Sequence, residues 1–90
     1  MVRQFDGFVL FDDKGEVKKL VFSLIQERDP QVSIESLRKL DYSYIFTLSK
    51  GERSSEFELF RPEIEASWDW RRGNIDTILW KKVEKALAEL

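Results

Sequence analysis

The chain has 90 residues, of which 42% are hydrophobic, and a formal net charge of −2 at pH 7; this length predicts a single domain over residues 1–90 with its own core. It contains no Cys and no His, which excludes a disulfide framework, a cysteine-based zinc site and histidine acid–base catalysis. The longest apolar run is four residues and the first residues lack the apolar core of a signal peptide, so we expect a soluble cytoplasmic protein without membrane association.

Two apolar runs flank a short polar segment at the start of the chain. Residues 3–11 (RQFDGFVLF) and residues 16–26 (EVKKLVFSLIQ) are rich in β-branched and aromatic side chains, which favours strands. Between them, residues 12–15 (DDKG) are typical of a tight turn in which Gly15 adopts a positive φ. The second run is apolar on both of its strand faces, which indicates a strand covered on both sides. We therefore predict an N-terminal β-hairpin.

A short helix and a second hairpin are predicted next. Ile34 and Leu37 share a helical face and Ser33 can cap the N-terminus, so residues 33–40 predict a helix. Apolar and polar residues then alternate over residues 42–48 and again over residues 56–59, on either side of a KGER turn. This pattern predicts two paired strands.

The last third of the chain is interpreted as a strand followed by a helix. Apolar residues alternate with polar ones from Glu63 to Trp70, which predicts a fifth strand after the break at Pro62. Asn74 is a good N-cap for a helix over residues 75–90. The apolar residues of that helix recur at helical spacing and form one stripe: Ile75, Ile78, Leu79, Val83, Ala86, Leu87 and Leu90.

The predicted element order is β-β-α-β-β-β-α. It describes an α+β fold with an antiparallel five-stranded sheet and two helices packed on it. This order resembles the profilin-like core of longin and roadblock domains, and the opening residues DGFVLFDDKGEV resemble the first hairpin of those families. The resemblance concerns element order alone, so it implies a fold and no function.

No motif in the sequence points to a catalyst, a metal site or a cofactor. The phosphate-binding patterns G-x-x-x-x-G-K-[ST] and G-x-G-x-x-G are absent, and no Ser has a Lys at S-x-x-K spacing to activate it. The paired carboxylates Asp12 and Asp13 lack a third ligand at EF-hand spacing. We therefore predict that the protein is not an enzyme and uses no cofactor.

The segment Trp68-Asp69-Trp70-Arg71-Arg72 is the most unusual local feature. Trp and Arg are enriched in binding hot spots, and they also stack on and pair with nucleic acid. On a strand the two Trp rings would share one face, either as core beneath the C-terminal helix or as a binding surface. A nucleic-acid-binding module is the alternative function, but the pI of 5.2 opposes it because phosphate contacts require positive charge.

The C-terminal helix is apolar over a wide arc. With Trp80 included, its apolar residues span roughly 200°, whereas a core-facing stripe needs somewhat more than about 100°. Trp80 and Leu87 lie at nearly the same angle and form a continuous strip. We therefore predict a non-catalytic protein-interaction module whose partner is another protein or a second copy in a homodimer. The predicted partner-binding residues are Trp68, Trp70, Arg71, Arg72, Trp80 and Leu87.

Charge is abundant and unevenly distributed. The chain has 10 Glu and 8 Lys against one Asn and one Met, a balance typical of heat-adapted proteins. Residues 52–69 carry a net charge of −4 and residues 71–85 a net charge of +3. These segments are either ordinary solvated faces or complementary surfaces for self-association.

Overall fold

The computed structural model describes residues 9–90, which form an α+β fold with an antiparallel sheet in the order β1-β2-β3. Short 3-10 helices lie at Leu10–Asp12 and Trp70–Arg72. The helices and strands are α1 (Lys14–Arg28), β1 (Ser33–Lys39), β2 (Ser43–Lys50), β3 (Arg53–Phe60), α2 (Arg61–Glu65) and α3 (Thr77–Ala88). Helices α1 and α3 pack side by side on one face of the sheet.

The hairpin of β2 and β3 confirms the predicted pair of alternating strands. Tyr44 lies opposite Leu59 and Phe46 opposite Phe57, and all four side chains are buried on the helix-covered face. The rings of Phe46 and Phe57 stack with centroids 5.2 Å apart. A two-residue turn joins the strands, and Gly51 within it has a φ of 62°, which glycine adopts without steric cost.

Residues 14–28 form α1, so the predicted strand over residues 16–26 is wrong. The carboxylate of Asp13 accepts a hydrogen bond from the Glu16 N–H and caps the helix. Gly15 lies in the first helical turn and has no positive φ, so the predicted hairpin turn is also wrong. The helix buries residues at helical spacing: Val17, Leu20, Val21, Leu24 and Ile25. Most of the predicted first strand, residues 3–8, lies outside the described residues.

Residues 33–39 form strand β1 and not the predicted helix. Ile34 pairs with Leu48 and Leu37 pairs with Phe46, and the register shifts between Ile34 and Ser36. This irregularity inserts one extra residue, so that two residues three apart in sequence both pack against the core. The bulge therefore reproduces the spacing of a helix face in an extended strand.

Residues 63–70 do not form the predicted fifth strand. Pro62 lies in the first turn of α2, where its missing N–H costs no hydrogen bond. Ile64 is buried within this short helix, and a turn and a 3-10 helix follow it. The sheet of the described residues thus has three strands and not five. The element order on which the resemblance to longin and roadblock domains rested is not that of the structure.

Helix α3 confirms the predicted C-terminal helix with changes at its margins. Asp76, and not Asn74, is the N-cap, and its carboxylate accepts a hydrogen bond from the Leu79 N–H. Leu79, Val83 and Ala86 are buried, whereas Ile78 is 57% exposed and is not part of the core stripe. None of the described helices has the length and apolar character required to cross a membrane.

Candidate functional site

A surface groove of about 310 Å³ lies where α1, the segment after α2 and the start of α3 meet. It brings together Trp70 and Trp80, two of the predicted partner-binding residues, and it is named here the Trp70–Trp80 groove. Its lining consists mainly of apolar side chains with one hydroxyl and one carboxylate: Ser23, Leu24, Glu27, Trp70, Gly73, Ile75 and Trp80.

The segment that carries Trp70 is held in place by a buried serine. The Ser67 hydroxyl donates to the Glu63 carbonyl at 3.0 Å and accepts from the Asp76 N–H at 3.0 Å. It therefore ties α2 to the start of α3. Gly73 ends the 3-10 helix with a φ of 90°, a left-handed conformation that favours glycine. These contacts position Trp70, which is half-buried, packs against the core and lines the groove.

Trp80 is positioned by the first turns of α3. It follows Leu79, which is fully buried, and so lies about 100° around the helix at the margin of the buried stripe. Its ring packs against the core and also lines the groove. Trp80 is thus part of the monomer's packing as well as part of a concave surface.

An arginine covers one side of each Trp ring. The guanidinium carbon of Arg28 lies 4.6 Å from the ring centroid of Trp80, and its Nη2 lies 2.5 Å from the carboxylate of Glu84. Because Arg28 belongs to α1 and both partners belong to α3, these contacts join the two helices. A cation over an indole face is a stabilising electrostatic contact.

Arg71 likewise contacts both a Trp ring and a Glu carboxylate. The guanidinium carbon of Arg71 lies 4.4 Å from the Trp70 ring centroid, and its nitrogens donate to both oxygens of Glu16 at 2.6 and 3.1 Å. The hydrogen bond from Arg71 lowers the pKa of the Glu16 carboxyl, and the same bond raises the pKa of Arg71. This bidentate pair fastens the 3-10 helix to the first turn of α1.

Three other predicted site residues, Trp68, Arg72 and Leu87, are not among the residues that line the groove. Trp68 lies in a turn and is 59% exposed, whereas Trp70 begins a 3-10 helix and is half-buried. Neither residue belongs to a strand, so the two rings do not share a strand face as predicted. Arg72 is exposed and its Nε lies 3.8 Å from the Asp69 carboxylate. Leu87 lines a second depression together with Arg28. The apolar strip predicted for Trp80 and Leu87 therefore has a charged side chain beside it.

The wall of the groove that belongs to α1 was not predicted from the sequence. In the helix, three residues lie on one side: Ser23, Leu24 and Glu27. In the predicted strand, Leu24 would lie on the opposite face from the other two. The signal was present, since Asp13 and Glu16 have the spacing of a capped helix start.

The groove offers surfaces for binding and no set of reactive groups. Its lining provides indole rings, aliphatic side chains, one hydroxyl that donates to the Leu20 carbonyl, and one carboxylate. Within residues 9–90, no group of three His, Cys, Asp or Glu side chains could hold a metal ion. Neither the protein-family models nor the curated proteins nor the solved structures contain a match to this chain.

Proposed function

We propose that this chain is a non-catalytic protein-interaction module whose binding surface is the Trp70–Trp80 groove. The observation that carries the proposal is that two half-buried Trp rings, one from the 3-10 helix and one from α3, line one concave surface. Trp side chains contribute large contact areas at little cost in conformational entropy, and they dominate binding hot spots. Trp68, Arg72 and Leu87 remain predicted contacts at the periphery.

The packing of the two Trp rings supports this proposal. Each ring packs against the core, and a guanidinium that is itself held by a carboxylate lies over one of its faces. A side chain that is already ordered loses little freedom when a partner binds, so more of the contact energy appears as affinity.

The alternative of a nucleic-acid-binding module loses support from the arginine contacts. Arg71 pairs with both oxygens of Glu16, and Arg72 lies beside Asp69. Phosphate binding would have to break or compete with these pairs in a chain whose net charge is already −2.

Self-association through opposite charges also loses support. Lys82 of the basic segment donates to the Glu63 carboxylate at 2.9 Å and to the Glu58 carbonyl at 3.0 Å within the same chain. The acidic and basic segments thus already meet in the monomer. We therefore expect the partner to be a different protein.

Selection of binders from a random peptide library against the full chain tests this proposal. Ser23→Phe introduces a bulky ring into the groove wall, and Gln26→Phe places the same ring elsewhere on α1, outside the groove lining. We expect selected peptides to bind the parent and Gln26→Phe equally and to lose at least about tenfold in affinity with Ser23→Phe.

Two-dimensional NMR of the three indole N–H signals provides an independent readout of where the peptides bind. The signals of Trp70 and Trp80 should shift on binding, after assignment by single Trp→Phe variants. Peptides that bind Ser23→Phe as well as the parent, or a selection that yields no binder, would contradict the proposal. A concentration-dependent mass in sedimentation that Ser23→Phe abolishes would identify the partner as a second copy.

A further inference from the structure

We infer that the Trp70–Trp80 groove binds a lysine or arginine side chain of its protein partner, with Glu27 as the counter-charge. This inference rests on the proposed function and names the chemistry of the occupant. The aliphatic part of such a side chain would lie along the indole rings and Ile75, and its cationic end would reach the Glu27 carboxylate.

Glu27 is the first observation that supports this inference. Of the seven residues that line the groove, it is the only charged one. The nearby carboxylates of Glu16 and Glu84 pair with Arg71 and Arg28, whereas no salt bridge or hydrogen bond joins the Glu27 carboxylate to another described residue. The groove therefore presents one negative charge that the chain itself does not neutralise, and a cation complements it.

The chain's own contacts are the second observation. Both groove Trp rings already accept a guanidinium within 4.6 Å, and in both cases a Glu carboxylate holds that guanidinium. A cation from the partner would form a third arrangement of Trp ring, cation and carboxylate. Glu27 would hold that cation as Glu16 holds Arg71 and Glu84 holds Arg28. The favourable contact of a cation with an indole face adds to the charge pair.

The size of the groove is the third observation. About 310 Å³ is at the lower end of the range for small-molecule pockets, which run from roughly 300 to 1,000 Å³. The groove is therefore large enough for one long side chain of a partner. Glu27 is itself exposed near the end of α1, so a partner side chain reaches it from the surface.

A series of host peptides tests the inference directly. Heptapeptides acetyl-Gly-Ser-Leu-X-Leu-Ser-Gly-amide, with Arg, Lys, norleucine or Glu at X, are titrated into the full chain while the indole signals of Trp70 and Trp80 are followed. We expect the Arg and Lys peptides to bind about three- to tenfold more tightly than the norleucine peptide, the scale of an exposed ion pair with a cation–π contact. High salt should reduce that preference.

Charge substitutions assign the preference to Glu27. Glu27→Gln should abolish the preference for Arg and Lys over norleucine, and Glu27→Lys should favour the Glu peptide. Glu56→Gln on β3 is the matched control, because Glu56 is exposed and lies outside the groove lining, and it should leave the preference intact. Glu27 is exposed, so neither variant is expected to alter folding, which thermal melting checks.

The outcomes separate this inference from the proposed function. Binding that is equal for Arg and norleucine yet lost in Ser23→Phe would overturn the cation inference and leave the interaction module standing. A preference that survives Glu27→Gln, or Arg and Lys peptides that do not shift the Trp70 and Trp80 signals, would also overturn it. The library selection decides the proposed function independently of these peptides.

Discussion

Helices α1 and α3 lie side by side on the same face of the sheet but use the margins of their buried stripes differently. At the groove, Ser23 and Glu27 lie beside the buried stripe of α1. Trp80 lies beside the buried stripe of α3. In the groove, α1 therefore contributes two polar side chains beside Leu24, and α3 contributes an aromatic one. The centre of each stripe is therefore buried in the core, and its edge lines the groove that we propose as the binding surface.

The two helices begin in the same way. Asp13 caps α1 by accepting from the Glu16 N–H at 3.1 Å, and Asp76 caps α3 by accepting from the Leu79 N–H at 3.0 Å. The two helices therefore differ in the side chains along their length and not in their N-caps.

The largest expected effect comes from removing one buried Leu from each helix. Leu20 on α1 and Leu79 on α3 are both fully buried. Leu20→Ala and Leu79→Ala should each lower the free energy of unfolding by about 2–5 kcal/mol, through lost apolar burial and the cavity left behind. Urea denaturation at pH 7 measures the change.

Ile78→Ala is the matched control because Ile78 is 57% exposed on the same helix as Leu79. It should change the free energy of unfolding by less than about 0.5 kcal/mol. A loss at Leu20 as small as that at Ile78 would mean that α1 does not share the core with α3.

The next effect concerns a buried hydrogen bond between β2 and the 3-10 helix Leu10–Asp12, which precedes α1. The Tyr44 hydroxyl donates to the Phe11 carbonyl at 2.5 Å in the buried interior. Tyr44→Phe leaves that carbonyl without its partner and should cost about 1–3 kcal/mol in the free energy of unfolding. Urea denaturation of the parent and of Tyr44→Phe measures this loss. An unchanged free energy of unfolding would show that this hydrogen bond does not stabilise the fold.

The same variant changes the response to alkaline pH. Burial, assisted by the charges of Asp12 and Asp13, raises the pKa of Tyr44 from 10 to about 12. Because the folded pKa lies above the unfolded one, this stabilisation is complete below pH 10 and is lost as the pH rises toward 12. Unfolding followed from pH 8 to pH 11.5 should show a shallower decline for Tyr44→Phe than for the parent.

The smallest effects come from one glycine near the start of each helix, and their signs should differ. Gly15 lies in the first turn of α1, where an added Cβ meets only the Asp13 carboxylate at an ordinary 3.5 Å. Gly15→Ala should therefore stabilise the fold by about 0.5–1 kcal/mol. Gly73 precedes α3 at a φ of 90°, so Gly73→Ala should destabilise it by about 1–2 kcal/mol. Thermal unfolding of the pair measures both signs, and a destabilising Gly15→Ala would argue for a turn at that position.

Parts of the fold could be predicted because their patterns are local. The alternation over residues 42–48, with Ile45 as its one exception, favours a strand over a helix, and the turn at Gly51 lies between two such runs. The spacing of Leu79 and Val83 excludes a strand. In each case one periodicity fits and the other fails, so no tertiary information is needed.

Other parts were predicted wrongly because their apolar residues fit two periodicities equally well. The apolar residues of α1 suit a strand that is buried on both faces as well as a helix, and only Phe22, which is 47% exposed, departs from the helical stripe. In β1 the bulge gives Ile34 and Leu37 the spacing of a helix. The alternation before Trp70 comes from residues of a short helix and the turns that follow it.

By itself the sequence determined an α+β fold, a central hairpin, a C-terminal helix and the residue types available for binding, since composition and periodicity are properties of the chain alone. Only the tertiary structure decided which of those residues meet. Trp70 and Trp80 share a groove with Glu27 of α1, a residue more than 40 positions earlier. The physical reason is that burial of apolar stripes sets how helices pack, and the groove forms from the margins that this packing leaves exposed.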